Sequence, residues 1–408
     1  MTVSDPLKSL FMVAPVADSN AAATPELTVV MPCLNEARTV AICVDEARKA
    51  MVEAGIAGEV VVADNGSTDA SATIANAQGA RVVSVAARGY GHALRAGISA
   101  ARGRYIVMGD ADASYDFSHL PRYVEKLRAG YDLVVGDRFG GGIQPDAMPW
   151  KNRYLGNPLL SWVGRLFFQT RIHDFHCGLR GFSAAAFRRM DLRTTGMEFA
   201  SEMIIKAALL GLRVTEVPTV LRPDGRQRSS HLRPWRDGWR HLRFMLLFSP
   251  RWLFFYPGLA LMAAGLVVGG MLLPGPLVVG RVHFDVNTLL FSAIALLIGF
   301  QAVAFAVLSK FFAIHAGLRA PEARFERWLR ALTLEVGLIA GFLLAATGLG
   351  LSLFSVWLWR QRGFGSLIPS QMLRWVIPGA LSLTLGCQVI LTSFFLSVLR
   401  LDTRKDSP

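Results

Sequence analysis

Arg104-Tyr105-Ile106-Val107-Met108-Gly109-Asp110-Ala111-Asp112 reads as a buried β-strand over 104–109 that ends in two carboxylates. An acidic pair at a strand's C-terminal end faces the crevice where open α/β sheets bind ligands. Hard oxygen ligands so placed suit Mg2+ or Mn2+, and such ions are commonly shared with substrate phosphates. Taken alone, the same residues also fit a solvated turn rich in Asp and Ala. The segments around them decide between the two.

Outward from that strand, the pattern alternates. Leu27-Thr28-Val29-Val30-Met31 is a short apolar strand, 35–54 reads as a helix, and Glu59-Val60-Val61-Val62-Ala63-Asp64 is a second strand. Gly66-Ser67-Thr68-Asp69 then offers helix caps. Further strands are predicted at 81–85 and 132–136. Alternation of this kind predicts an α/β domain, a mostly parallel sheet with helices on both faces.

Two strand ends share the edge with Asp110 and Asp112: Met31-Pro32-Cys33-Leu34-Asn35-Glu36 and Asp64-Asn65-Gly66. Between them and the acidic pair lies Arg88-Gly89-Tyr90-Gly91-His92-Ala93. Its glycines permit close backbone approach, and Arg88 is placed to face a phosphate. A dinucleotide-binding reading fails. Gly89-x-Gly91 follows the third strand, the third glycine is missing, and the first strand runs into Pro32.

The second half is different in kind. Hydrophobic residues make up 52% of the 408 residues and mean hydropathy is +0.37, with the excess concentrated after residue 251. Four transmembrane helices are predicted near 252–273, 288–312, 333–358 and 376–398, each long enough for a hydrocarbon core of about 30 Å. Four nearly charge-free runs in succession would need a very large core in a soluble protein. Lys310, Arg319, Arg324, Arg327 and Arg330 follow the second helix, whereas the loop after the first holds only Arg281. The positive-inside rule therefore places the N-terminal domain and the C-terminus in the cytoplasm, making this an integral protein of the cytoplasmic membrane. Arg360, Arg362 and Arg374 weaken that contrast without reversing it.

Net charge is +13. Without a zinc finger, an RNA-recognition signature or a basic-aromatic platform, nucleic acid is excluded as a partner, and anionic membrane lipids and phosphates are favoured. The four cysteines show no CxxC pair and are read as buried thiols. Residues 1–25 carry no convincing signal peptide and read as a disordered tail. Residues 226–251 join the halves. On a helix, Arg233, Arg236, Arg240 and Arg243 share one face, and Leu232, Trp235, Trp239 and Leu242 run parallel to it, the pattern of a helix lying in the membrane interface. The plain alternative is a solvated basic face.

In order, P-x-x-N-E, D-x-G-S-T-D, G-x-G-x-A and D-A-D resemble family-2 glycosyltransferases of the GT-A fold. More narrowly, the chain resembles the polyprenyl-phosphate hexose synthases, the group of dolichyl-phosphate mannose synthase and the undecaprenyl-phosphate glucosyltransferases. The resemblance runs from about Leu27 to Leu221 and implies a nucleotide-sugar transferase domain over 26–225, followed by the basic segment and a membrane domain over 252–408. It implies that Pro32, Glu36 and Asp64 hold the base and ribose of the donor, and that Asp110 and Asp112 position the metal and diphosphate. Arg138 matches a catalytic arginine near the reacting phosphates, with Arg153 and Arg180 at further basic positions, and the resemblance implies that Arg138, Arg153, Arg180, Arg226 and Arg228 receive the acceptor phosphate. Arg226 and Arg228 fall in a phosphate-binding loop. On the residues alone, Arg180 also fits a structural pair with Asp174 or Glu198, and Arg153 a surface cation. Asn65 stands where the family often has Asp, and Ser114 where a stronger metal ligand is common. His92, His173 and His176 are read as structural or supporting.

The resemblance implies transfer of a hexose to a polyprenyl monophosphate, with UDP-glucose ahead of GDP-mannose as donor. A phosphate monoester has its second pKa near about 6 and needs cationic positioning more than a base. A single in-line displacement with inversion follows. Glu198 and Glu202 are expected to orient arginines on a helix, with a catalytic role as the alternative. The alternatives are a transferase acting on a sugar hydroxyl and a non-catalytic, membrane-anchored nucleotide-sugar-binding protein. A transporter is disfavoured by the scarcity of mid-span charge. Gln371-Met372-Leu373-Arg374-Trp375 fits the Q-x-x-R-W pattern of processive polysaccharide synthases, but it falls in the expected outer loop and reads as coincidence. The helices serve equally as an anchor or as the interface of a homo-oligomer.

Overall fold

The computed structural model describes residues 24–225, 234–316 and 319–400. Seven strands build one sheet: β1 (Leu27–Cys33), β2 (Gly58–Asp64), β3 (Arg81–Ser84), β4 (Tyr105–Met108), β5 (Leu133–Asp137), β6 (Arg180–Ser183) and β7 (Val214–Pro218). Their order is β3-β2-β1-β4-β6-β5-β7. All pairings are parallel except those of β6, which is antiparallel to both β4 and β5. Leu27, Val29, Val30 and Met31 of β1 and Val107 and Met108 of β4 are fully buried, which is why these strands read as continuous apolar runs.

The sequence reading finds the first five strands and misses β6 and β7. Arg-Gly-Phe-Ser in β6 and Val-Thr-Glu-Val-Pro in β7 carry polar residues within very short spans. Their strand state comes from neighbours that supply hydrogen bonds, not from local pattern.

The connecting helices are α1 (Val40–Glu53), α2 (Ser71–Ala77), α3 (Tyr90–Ala100), α4 (Leu120–Arg128), α5 (Arg138–Gly141), α6 (Asn157–Phe168), α7 (Ala184–Met190), α8 (Phe199–Leu209) and α9 (Pro234–Leu247). Helix α1 begins at Val40, not at the expected Asn35. Asn35 adopts a left-handed φ of 59°, and its side chain accepts from the Thr68 N–H at 2.6 Å. The Glu36 N–H donates to the Ser71 hydroxyl at 2.7 Å. Residues 35–37 are therefore occupied in tying the end of β1 to the loop after β2, and no helix forms there. The expected tail also ends early: the carbonyl of Pro25 already accepts from the N–H of Arg104.

The C-terminal half holds α10 (Tyr256–Leu272), α11 (Val286–His315), α12 (Ala323–Ala331), α13 (Leu334–Gln361) and α14 (Pro369–Arg400), with a hairpin of β8 (Leu277–Val279) and β9 (Val282–Phe284) between α10 and α11. Among the described residues, four helices are long and apolar enough to cross a membrane: Arg251–Leu272, Val286–His315, Leu334–Gln361 and Pro369–Arg400. They pack through small residues. A Cβ on Gly348 would lie 2.3 Å from the Leu383 nitrogen, so only glycine lets α13 and α14 approach this closely.

The last helix starts earlier than expected, and Gln371–Trp375 lies in its first turns rather than in a loop. Arg374 donates to the carbonyl of Leu272 and to the carboxylate of Asp285, joining the ends of three spans. That structural use is separate from the resemblance to the processive enzymes. Cys33, Cys43 and Cys177 are buried as expected, but Cys387 is exposed on α14.

Candidate active site

Parallel strands β1, β2 and β4 deliver Pro32, Asp64 and Asp110 to one edge of the sheet, and short loops complete the site there. Asp110 is half-buried and Asp112 buried. The Tyr90 phenol donates to Asp110 Oδ1 at 3.0 Å. Burial first, and then the charge of Asp110, pushes the Tyr90 phenol well above its ordinary pKa, so it keeps the proton it donates. Asp112 Oδ1 accepts from the N–H and the hydroxyl of Ser114, at 3.0 and 2.5 Å. The left-handed φ of 61° at Ala113 folds Ser114 back onto this carboxylate. Both aspartates are thus held in place by neighbours from the chain itself.

Backbone also packs closely against Asp110. A Cβ on Gly178 would stand 2.9 Å from Asp110 Oδ2 and 3.1 Å from the Tyr115 hydroxyl, so a larger residue would crowd the carboxylate. Two hard carboxylates, each oriented by a neighbour, fit Mg2+ or Mn2+ by the chemistry of their oxygen donors. Ser114 orients Asp112. The group Asp137, His173 and Glu216, whose ligand atoms lie within 4.8 Å of one another, is explained without a metal. Glu216 accepts from the N–H groups of His173 and Asp174, at 2.6 and 3.1 Å, and Asp137 caps α5.

Glu36 is buried near the acidic pair. Thr39 reaches both, its hydroxyl 2.7 Å from the Ala111 carbonyl and 3.4 Å from Glu36 Oε2. Asp64 accepts from the Ser67 N–H at 3.2 Å. Asn65 donates to the carbonyls of Val85 and Ala87, at 3.3 and 2.7 Å, and accepts from the Gly89 N–H at 2.7 Å. An aspartate could not make the two donations, so the amide at this position stitches the end of β2 to the glycine loop.

The glycines of that loop serve a different approach from the expected one. A Cβ on Gly91 would lie 2.6 Å from the Thr194 carbonyl oxygen, and the Gly91 N–H donates to Thr195 at 2.9 Å. What comes close is the chain's own 194–195 segment. Arg88 itself is exposed at the rim.

The expected phosphate-binding arginines separate into three groups. Arg138 is buried and bidentate on Asp174, at 2.6 and 2.8 Å, so this guanidinium is held by a carboxylate. Arg180 is fully buried and donates to the carbonyls of Cys177, Ala200 and Phe175. That corrects its assignment to an acceptor phosphate: it is a clamp that fixes the 175–177 turn beside Asp110, and it pairs with neither Asp174 nor Glu198 as the structural alternative had it. Arg153 is half-buried and lies over the Tyr154 ring at 5.5 Å. Arg226, Arg228, Leu232, Arg233 and most of the tail lie outside the described residues, as does the Trp235 side chain. On α9, Arg236, Arg240 and Arg243 are exposed, and so is Trp239.

The chain just before Arg226 is well placed. Arg222 donates its N–H to the Ser114 carbonyl and Gly225 to the Asp112 carbonyl, both at 2.9 Å. The Arg222 guanidinium pairs with Glu46 and Asp116.

Glu202 orients no arginine side chain. It accepts from the Thr194 N–H and hydroxyl and from the Arg193 N–H, and pairs with Lys206 at 2.9 Å. Glu198 keeps one buried carboxylate oxygen without a hydrogen-bond partner among the described residues. His176 is half-buried, edge-on to His241, 4.7 Å between ring centres. Burial pushes the thiols of Cys33 to about 11 and of Cys43 and Cys177 to about 12, so these three stay protonated near neutral pH.

One surface escaped the sequence reading. Trp150, Tyr154, Leu155, Leu159, Trp162 and Leu166 are all exposed along the π-helical turn Asn152–Gly156 and α6. The signal was there, apolar residues spaced three and four apart. Its exposure on the folded domain marks it as an interaction surface.

Residues 28–195 match the family model described as glycosyl transferase family 2, and residues 307–400 match the glycosyltransferase family 2 C-terminal transmembrane region. The low-salt glycan biosynthesis hexosyltransferase Agl6 of Haloferax volcanii is 36% identical over 94% of this chain and 91% of its own length. A dolichyl-phosphate hexose transferase of the same organism is 32% identical over 40% of this chain and 70% of its own. A crystal structure of glucosyl-3-phosphoglycerate synthase from Mycobacterium tuberculosis with Mn2+, UDP and phosphoglyceric acid aligns at 23% identity and a TM-score of 0.42 over 55% of this chain and 78% of that one. That last likeness is too distant to bear on the site.

The two family matches, together with the relative aligned over nearly the whole chain, make this α/β domain and its apolar spans a membrane glycosyltransferase. The chain belongs to glycosyltransferase family 2.

Proposed function

We propose that this enzyme transfers a hexose from a nucleotide sugar to a polyprenyl monophosphate at the cytoplasmic face of the membrane, with inversion. One observation carries the reading most directly. The segment Arg222–Gly225 is bonded to Ser114 and Asp112, and the sequence continues from there through the arginine segment into α9 and the first span. The route from the acidic pair to the bilayer is therefore short in sequence and anchored at its start. The similarity to a dolichyl-phosphate hexose transferase supports the same acceptor class.

In this reading Pro32, Glu36 and Asp64 receive the nucleoside, and Arg88 at the rim meets the diphosphate. Asp110 and Asp112 would hold Mg2+ or Mn2+, which when bound supplies neutralising charge to the diphosphate leaving group. Tyr90 and Ser114 keep the two carboxylates oriented, so little reorganisation is needed as charge develops. Arg153, Arg226 and Arg228 are assigned to the acceptor phosphate. Arg138 acts through its field beside the site, its fork being held by Asp174. The exposed stripe of α6 and the exposed cations of α9 bring the domain to the membrane surface, where a lipid phosphate resides. UDP-glucose is preferred over GDP-mannose as donor.

The buried oxygen of Glu198, unpartnered among the described residues, favours a second reading, a sugar-hydroxyl acceptor that needs a base. The test is to incubate the purified full chain with radiolabelled UDP-glucose or GDP-mannose, Mn2+, and either a short-chain polyprenyl phosphate or a glycolipid. An acid-labile, organic-extractable product from the polyprenyl phosphate supports the proposal. Transfer only to the glycolipid hydroxyl overturns it.

A further inference from the structure

We infer that the junction between the transferase domain and the membrane spans is a binding site for an anionic phospholipid of the bilayer, with Arg251, Lys310 and Arg319 receiving its headgroup phosphate. This site is separate from donor and acceptor: none of its residues is bonded to Asp110, Asp112 or the loops that hold them.

Three cations converge on one carboxylate. Lys310 Nζ lies 2.7 Å from Glu322 Oε2, Arg319 Nη2 lies 2.7 Å from Oε1, and Arg251 Nη2 lies 3.2 Å from Oε2. Lys310 and Arg319 are largely shielded, their side chains 11% and 17% exposed. One acid offsets one cation, so the described residues leave a surplus of two positive charges (3 − 1 = 2) at the end of apolar spans. Cations gathered in a partly desolvated place repel one another, and the arrangement calls for a further anion.

The shape beside the cluster says which kind of anion. Arg251, Arg319 and Glu322 line a cleft of about 220 Å³ against Gln169 and Gly211 of the transferase domain. Adjoining it, with Leu209, Phe248 and Arg319 in the walls of both, is a cleft of about 410 Å³ lined by Phe305, Leu308, Phe312 and Leu399. Phe305 and Phe312 are exposed on the span α11, so this second cleft opens toward acyl chains. A polar, cationic chamber joined to a larger apolar one suits a headgroup and a tail. A free phosphate would use only the first. The Ala320 N–H donates to the Leu209 carbonyl at 3.0 Å, so a lipid here would reinforce a contact that already fastens α8 to the membrane domain.

The test is intact-complex mass spectrometry of the full chain, purified in detergent and titrated with phosphatidylglycerol or phosphatidylcholine of equal chain length. Phosphatidylglycerol should be retained in preference. In the double variant Arg251→Gln/Arg319→Gln, which keeps the Lys310–Glu322 pair, its affinity should fall by roughly thirtyfold, the worth of two membrane-facing cations. Glu322→Gln raises the surplus charge and should strengthen retention, which keeps the idea testable if the double variant folds poorly. Equal retention of both lipids, no change in either variant, or displacement of phosphatidylglycerol by an equal concentration of inorganic phosphate would each overturn the assignment. No donor sugar is present, so failure here is distinct from failure of the transfer reaction.

Discussion

The backbone N–H of Gly225 donates to the carbonyl of Asp112 at 2.9 Å. This bond couples the second member of the acidic pair to the segment that leads into the arginines and the membrane. It is a main-chain contact, so side-chain changes at Asp112 leave it in place. Asp112→Asn keeps the shape and removes the charge. Turnover should drop by at least about a hundredfold, while the far-ultraviolet circular dichroism stays that of the parent. Activity close to the parent's would remove Asp112 from the metal assignment.

Ser114 holds the Asp112 carboxylate with both its N–H and its hydroxyl. Ser114→Ala deletes only the hydroxyl bond. Groups that orient a metal ligand typically alter metal affinity by about 10–100-fold. The Mn2+ concentration for half-maximal activity should rise within that range, with the rate at saturating Mn2+ nearly restored. A variant with unchanged metal dependence would show that the hydroxyl has no positioning role.

Arg138 and Asp174 form a buried bidentate pair, and Asp174 lies below the ordinary carboxylate range: burial opposes this, but the Arg138 charge and hydrogen bonds outweigh it. Asp174→Ala strands the guanidinium and should destabilise the transferase domain by about 3–5 kcal/mol, read as a lower thermal midpoint. Replacing both, Arg138→Met with Asp174→Leu, should recover much of that stability. Donor turnover in the double variant then separates structure from catalysis. Full turnover would make the pair structural only.

Gly91 faces the Thr194 carbonyl so closely that any Cβ must displace backbone. Gly91→Ala should cost about 1–3 kcal/mol and raise hydrogen exchange in residues 193–198. Unchanged exchange there would mean that the loop is not seated on this glycine.

Burial, with the neighbouring His241 adding to it, holds His176 well below its ordinary pKa of 6.5. Unfolded, the ring takes up a proton as pH falls through about that value; folded, it does not. Unfolding therefore binds a proton, and stability falls as pH falls below about 6.5. His176→Phe should flatten the loss of thermal midpoint between about pH 7 and about pH 5. Parallel slopes in variant and parent would exclude His176 as the source.

The apolar runs at 27–31, 59–64 and 104–109 are long enough that burial on both faces dictates a parallel sheet, and four charge-poor stretches dictate spans. Sequence order alone then brings Pro32, Asp64 and Asp110 to one edge, because parallel strands end on the same side. That much is local chemistry and was legible. The states of Arg138 and Arg180 were not. A guanidinium reads the same in sequence whether it meets phosphate, a carboxylate or three carbonyls, and only the packing of β6 and the 174–177 turn chose the last two. Likewise Gly89 and Gly91 announce a close approach without saying to what, and the 194–195 segment that arrives is a hundred residues away in the chain, on the order set by loop closure rather than local pattern. The sequence determined which elements form and which carboxylates share an edge. Tertiary structure alone decided which charges are left for a ligand, because a charge is used up by whatever partner the fold delivers within hydrogen-bond reach.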